Sequence, residues 1–489
     1  MPARRRAPSG CGPQARWLCC SLLTYRPGYS SSLAPRQRAW GPAAKCEVIS
    51  ARALRLETND HFDRRTFLRV GSLSLFGHLS FAEVLRLQAA VPAGTPAAKA
   101  KDLSVILIWC AGGVSQMETW DPKPKADEKY RGTFGVIPTK VDGIVIGEHL
   151  PMSARVADKV TIIRSMTARD AVHESAQAFI LTGHAPLPGL LYPAVGSIVS
   201  NELPARNELP SYVLTGGPAA IWEQAAFLGP KNDPFIAGNA NEENYRVRDL
   251  DLPLGVDWAR VEQRKSLLTA ADRYFRQFDT AKVIDSMDTH YQTALNLISS
   301  PRAKKAFDIA SEPVAVRERY GRSGTGQGCL LARRLVESGV RFVSVRGAGW
   351  DHHQEVFNTL SRDNLPEFDR AFSALVEDLA QRGMLENTLV IAATEFGRTP
   401  EINVNAGRDH WPNAFSIVVA GGGIQGGRVI GETDRNCFAV TERPVRVEEL
   451  LATVYVKLGI DFGKVYRTPI GRPVKIIDEP FEPVRELLA

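Results

Sequence analysis

Cysteine is sparse where this chain folds. Of 7 cysteines in 489 residues, Cys11, Cys19, Cys20 and Cys46 fall within the first 58. Cys110, Cys329 and Cys437 remain, with no CxxC spacing, so neither a zinc knuckle nor a disulfide framework is indicated. Long apolar runs are missing too. The stretch from Val70 to about Val84 is broken by His78, Ser80 and Glu83 and is too short for a permanent membrane span. An excess of one charge is absent from the body. The net charge is +6, but residues 1–58 hold ten Lys/Arg against two Asp/Glu (+8), which leaves 50 basic and 52 acidic residues (−2). A body so near neutral offers no basic surface for nucleic acid. Gly421–Gly423 and Gly426-Gly427 form no GxGxxG or P-loop pattern, so nucleotide binding is not supported. No internal repeat is present. The rest is ordinary globular composition, 44% hydrophobic and 23% charged, in a length that suits one large α/β domain or two smaller ones.

The N-terminal 93 residues read as an address. Residues 63–69, Asp-Arg-Arg-Thr-Phe-Leu-Arg, are similar to a twin-arginine export motif, with Arg64 and Arg65 as the pair. The short apolar stretch follows, then small residues at 89–93 suited to signal peptidase. Residues 59–93 are therefore expected to engage the twin-arginine export machinery and deliver a periplasmic or extracellular protein. A basic surface helix is the plainer alternative. Residues 1–58 are rich in Arg, Pro and Ser without hydrophobic periodicity and are expected to be disordered, with a start site downstream of Met1. Export in the folded state is a weak hint of a cofactor loaded inside the cell.

From residue 101 onward, apolar strands alternate with amphipathic helices. Residues 104–110 (SVILIWC), 160–164, 212–215, 341–345, 388–394 (TLVIAAT) and 415–420 read as strands. Residues 173–181, 326–338, 366–383 and 448–458 read as helices, the third with Phe368, Phe372, Leu375 and Leu379 on one face. Residues 228–256 read as a long surface excursion, and about 258–320 as a helical insertion. The pattern predicts a doubly wound, mostly parallel α/β sheet, whose site lies outside the carboxyl ends of the strands.

The polar clusters sit at those ends. Asp351 and His353, in Trp350-Asp351-His352-His353, offer carboxylate and imidazole to a divalent metal; a hydrogen-bonded loop pair is the alternative. Glu395 ends an apolar strand, where a carboxylate is costly unless paired or ligating, and Arg398 is its plain partner. In Gly407-Arg408-Asp409-His410-Trp411, Asp409 and His410 are further metal candidates and Arg408 a candidate to hold an oxyanion. His173 and Ser175 precede a helix. Ser175 either caps it or serves as a nucleophile. His173 either activates Ser175, ligates a metal or is itself the nucleophile.

SQMETWDPKP (115–124), HESAQAFILTGHAP (173–186), RYGRSGTGQGCLLARRLVESGVRFV (319–343), GWDHH (349–353), TEFGRTP (394–400) and GRDHWP (407–412) together resemble the domain-of-unknown-function 1501 family, in the alkaline phosphatase/sulfatase superfamily. The resemblance implies an alkaline phosphatase-like fold over 101–489 and a metal-dependent ester chemistry. It also shows departures. Sulfatases carry Cys/Ser-x-Pro-x-Arg a few residues before Leu-Thr-Gly. Counting back from Leu181-Thr182-Gly183 puts His173 at the nucleophile, Ser175 at the proline and Gln177 at the arginine. Glu395-Phe396-Gly397 stands where sulfatases have Asp-His-Gly, and the first strand ends in Cys110-Ala111-Gly112-Gly113 rather than in acids. Glu118 and Asp121 would replace those acids only by a changed loop path, and His352 is a substitute for His353.

Two functions follow. The first is an exported metal-dependent hydrolase of sulfate or phosphate esters, on a small molecule or a polysaccharide. Its zinc, calcium or manganese is held by Asp351, His353, Glu395, Asp409 and His410, with His173, Ser175 and Arg408 (or Arg398) in catalytic parts. The alternative is a catalytically inactive periplasmic binding protein that keeps the fold.

Overall fold

A computed structural model describes residues 102–247, 250, 252, 255–275, 295–478 and 480–488. The expected disordered extension and export signal lie outside them. Nine strands form one sheet: β1 Ser104–Trp109, β2 Val160–Thr167, β3 Tyr212–Thr215, β4 Phe235–Gly238, β5 Phe342–Arg346, β6 Thr388–Ala393, β7 Phe415–Gly421, β8 Arg428–Ile430 and β9 Val445–Arg446. Their order is β8-β2-β7-β6-β1-β5-β3-β4, with β9 also on β2. All pairs are parallel except those of β7, which runs antiparallel to β2 and β6. The chain is thus an α/β protein with a mixed, mostly parallel sheet.

Side-chain alternation along the strands divides the core into two faces. On β1, Ile106 and Ile108 face one apolar cluster, and Val105, Leu107 and Trp109 face the other. Helices α3 (Gly324–Glu337) and α4 (Leu365–Gln381) cover the first face with Leu330, Leu331, Leu335, Phe368, Phe372, Leu375 and Leu379. Helices α1 (His173–Thr182), α2 (Val195–Glu202) and α5 (Val447–Leu458) cover the second with Phe179, Ile180, Ile198, Leu450 and Tyr455. The apolar stripe expected on residues 366–383 is the buried face of α4. Ser323, before α3, accepts a hydrogen bond from Gly326 N–H and caps it.

One expectation is corrected. Residues 228–256 are not solely an excursion, because Phe235–Gly238 joins the sheet beside β3 as its edge strand. The strand has four residues, a terminal glycine and a half-exposed Ile236, so backbone pairing places it without a hydrophobic run to announce it. Residues 415–420 form a strand as expected, and it is the strand that runs antiparallel to its neighbours. The expected helical insertion contains Trp258–Phe275, Pro301–Phe307 and Val314–Tyr320 among its described residues. Cys110, Cys329 and Cys437 are all buried free thiols. Among the described residues, no helix is long and apolar enough to cross a membrane.

Candidate metal centre

The carboxyl ends of β1, β2, β5 and β6 and the start of antiparallel β7 share one edge, since Met166 near the end of β2 pairs with Phe415 at the start of β7. Each delivers a loop there. The loop after β1 turns through Gly112 and Gly113, with φ of +117° and +90°. A Cβ on Gly112 would lie 2.5 Å from Asp351 N, and one on Gly113 2.8 Å from the Phe396 ring. Glycine is required because the loop after β1 lies against the backbone of the loop after β5 and against the Phe396 ring from the loop after β6.

Asp351, after β5, is the hub. Its Oδ1 lies 3.0 Å from His353 Nε2 and 3.0 Å from His410 Nε2. Its Oδ2 lies 3.2 Å from His173 Nε2, and the two ring nitrogens of His353 and His410 are 3.1 Å apart. Donor atoms of His173, Asp351 and His410 all lie within 4.8 Å of one another.

Each imidazole is fixed from behind through Nδ1. His173 Nδ1 is 2.9 Å from Glu395 Oε1, His353 Nδ1 is 2.6 Å from Asp409 Oδ1, and His410 Nδ1 is 2.7 Å from Ala171 O. An ionised carboxylate or a carbonyl can only accept, so Nδ1 donates in all three rings and Nε2 faces Asp351. Outer hydrogen bonds of this kind orient histidine ligands in metal sites. Glu395 is fully buried and also accepts from Gln177 Nε2 (2.9 Å) and Gly112 N–H (2.8 Å).

The electrostatics follow. Burial works to raise the Glu395 carboxyl, but the hydrogen bonds from His173, Gln177 and Gly112 outweigh it and hold the group below its ordinary value. The bond to Glu395 lifts His173 above its ordinary value against the opposing effect of burial. Burial also acts to raise Asp351, yet Arg398 and His410 hold it well below the usual carboxylate range.

The other expected site residues have different surroundings. Arg398 does not pair with Glu395. Its Nη2 bonds Asp351 Oδ1 (2.6 Å), Trp350 O (3.1 Å) and Gly112 O, its Nη1 bonds Arg408 O (2.9 Å), and its Nε bonds Gly113 O (3.0 Å). Arg408 is turned inward and fully buried, with Nη2 on Glu118 Oε1 (2.7 Å) and Tyr130 O (2.8 Å) and Nη1 on Thr399 O and Pro400 O. Neither arginine reaches out toward an oxyanion. His352 faces Asn364 (3.0 Å), and burial lowers it from its ordinary value. His353, not His352, joins the cluster.

Ser175 does not cap α1, whose N-cap is Val172 with no side-chain cap bond. Its hydroxyl donates to Asp170 Oδ1 (2.6 Å). Helix geometry separates it from His173, because residues two apart do not share a face, whereas those four apart do. Gln177, four residues after His173, accordingly reaches the same Glu395. The sequence placed Gln177 only at the position of the sulfatase arginine; its i+4 spacing from His173 was the signal for the shared bond to Glu395. Ser175 instead lines an apolar groove of about 290 Å³ with Val172, Leu187, Leu191, Ile221 and Trp222.

Residues 102–488 match the family model described as "Protein of unknown function (DUF1501)". The chain belongs to this family. No curated protein matches the chain. Among solved structures it is similar to a protein of the alkaline phosphatase superfamily from Vibrio parahaemolyticus (11% identity, 73% of this chain and 67% of that one, TM-score 0.33). A phosphonate monoester hydrolase from Silicibacter pomeroyi is similar at 12% identity, 73% and 74% coverage and TM-score 0.33. The PsFucS1 sulfatase from Pseudoalteromonas sp. is similar at 12% identity, 73% and 68% coverage and TM-score 0.31. Scores at this level carry no argument about function, which rests on the site itself.

Proposed function

We propose that this DUF1501 protein is a metal-dependent hydrolase of sulfate or phosphate esters, exported through the twin-arginine signal at residues 59–93. The observation that carries the reading is the convergence of three imidazole Nε2 atoms on the Asp351 carboxylate at the strand ends. This donor set fits a divalent ion. His173, His353, His410 and Asp351 would hold it, and Glu395, Asp409 and Ala171 O would orient the imidazoles. In this arrangement Glu395 and Asp409 stand behind the ligands rather than among them. A divalent ion bound there would polarise an ester oxygen and make a water more acidic.

His173 is gripped at both ring nitrogens and Ser175 is turned to Asp170, so water is the nucleophile in this reading. Phe396 packs its ring at 5.1 Å from His173 and 4.4 Å from His410, walling the cluster on its buried side. The test is a screen of aryl sulfates, phosphate monoesters and phosphonate monoesters with the purified protein, with and without added metal. Turnover that disappears on chelation and in Asp351→Asn is expected. No turnover on any class in a metal-loaded protein overturns the hydrolase. One observation favours the alternative of a binding protein, namely that Arg398 and Arg408, the expected oxyanion holders, both face inward. That reading expects ester or sugar binding that survives chelation.

A further inference from the structure

The cluster has a definite chemical preference. The metal half of the proposed function leaves zinc, calcium and manganese open, and it leaves open whether one ion is held or two. The donor atoms narrow both.

Three of the four inward atoms are nitrogen. Calcium takes six to eight oxygen ligands, and magnesium keeps an octahedron of oxygen with several waters. Zinc and its neighbours accept imidazole, and zinc is satisfied by four donors. The one carboxylate in the cluster also accepts the Arg398 N–H at Oδ1, which offsets part of the charge a hard cation would need. Spacing agrees. Tetrahedral zinc with bonds of roughly 2.0–2.1 Å places its ligand atoms about 3.3 Å apart. The distances of 3.0, 3.0 and 3.1 Å among Asp351 Oδ1, His353 Nε2 and His410 Nε2 lie within a few tenths of that, and His173 Nε2 stands 3.2 Å from the other carboxylate oxygen.

Among the described residues, a second ion finds no comparable set nearby. Glu118 and Asp121, the acids closest in sequence to the end of β1, are both buried in other bonds. Glu118 is held by Arg408 (2.7 Å) and by the Ser115 hydroxyl. Asp121 lies 3.0 Å from Lys123 Nζ and 3.5 Å from Arg164 Nε, and it accepts the Thr433 hydroxyl. Phe396 follows Glu395 directly, and its buried ring offers no donor atom.

We infer that His173, His353, His410 and Asp351 form a mononuclear, nitrogen-rich site for a zinc-class transition metal, with His353 as a direct ligand. Arg398 is then a positioning residue. It pins the Asp351 carboxylate and ties the loops after β1, β5 and β6 together.

The test uses the full-length protein stripped with chelator and titrated with Co²⁺, a spectroscopic stand-in for zinc, then challenged with Zn²⁺, Mn²⁺ and Ca²⁺. One equivalent of cobalt should give the intense visible bands of a four- or five-coordinate ion, removed by zinc and untouched by a large excess of calcium. His353→Ala should weaken the metal by more than about 100-fold, the ceiling for losing a mere outer partner, and alter the bands. His352→Asn should leave them unchanged. Circular dichroism of each stripped variant confirms that it folds, and His353 is 41% exposed, so its truncation is a local change. Two equivalents, a preference for calcium, or an unchanged spectrum in His353→Ala overturns the inference, as does a failure to bind any metal. The readout is independent of turnover. One tight zinc with no ester hydrolysed would sink the hydrolase and leave this site standing. A calcium-loaded, active protein would do the reverse.

Discussion

Arg408 and His410 are two residues apart in one loop and belong to opposite kinds of charged cluster. Arg408 points into the protein, where its guanidinium and Glu118 are 0% and 1% exposed and joined at 2.7 Å. His410 points to the strand-end rim with Asp351 and His353, which are 18%, 47% and 41% exposed. The inner pair is closed, because opposite charges meet and backbone carbonyls take other guanidinium protons. The outer cluster is open, because three rings are locked from behind and present the same kind of nitrogen to one carboxylate. Charge and sequence spacing do not separate the two. Burial, and the direction in which each hydrogen bond is donated, do.

The comparison is most directly broken by stability. Glu118→Ala strands the Arg408 charge inside the protein and should cost about 3–5 kcal/mol. Asp351→Asn takes one charged bond from the buried Arg398, which keeps four backbone carbonyl partners, and should cost less, about 1.5–3 kcal/mol in metal-free protein. Urea unfolding of both measures the gap, and a larger loss in Asp351→Asn would invert the assignment of brace and site. Metal affinity should show the opposite ranking. Asp351→Asn should abolish binding, whereas Glu395→Gln and Asp409→Asn, behind the rings, should lower it about 10–100-fold, as calorimetry would read.

Acidity sharpens the picture further. His173 is raised above its ordinary 6.5, so its share of stability is complete below that value and is lost as pH rises through the raised one. Glu395 is depressed below its ordinary 4.5, so its share is present above that value and is lost as pH falls through the lowered one. The His173–Glu395 contact should therefore stabilise metal-free protein most between about pH 4.5 and 6.5. The difference in urea midpoint between wild type and His173→Asn should be widest there and shrink toward pH 9. A gap that grows with pH would contradict the charged pair. The smallest effect belongs to Ser175→Ala, which should change stability by no more than about 0.5 kcal/mol and leave metal affinity and turnover intact. A collapse of turnover alone would make Ser175 the nucleophile.

Much of the fold was legible because its signals are local. The apolar runs of β1 and β6 are buried on both faces, and Phe368, Phe372, Leu375 and Leu379 repeat at helical spacing, so each could be read within its own window. The direction of β7 and the pairing of Phe235–Gly238 could not, since both depend on where distant strands lie. The site divides in the same way. Asp351, His353, Glu395, Asp409 and His410 were recognisable as polar residues placed just beyond strand ends. Their separation into an inner ring of Nε2 donors and an outer ring of acceptors was not.

By itself, then, the sequence determined the α/β class, the strand-end placement of the chemistry and the identity of most residues that meet there. These follow from periodicity and composition, which act over a few residues. The tertiary structure alone decided that Arg398 serves Asp351 rather than Glu395, that Arg408 is a buried brace, that His353 rather than His352 faces the cluster, and that Ser175 looks away from it. The reason is geometric. A hydrogen-bond partner is fixed to a few tenths of an ångström by loops tens to hundreds of residues apart, and no spacing along the chain encodes that distance.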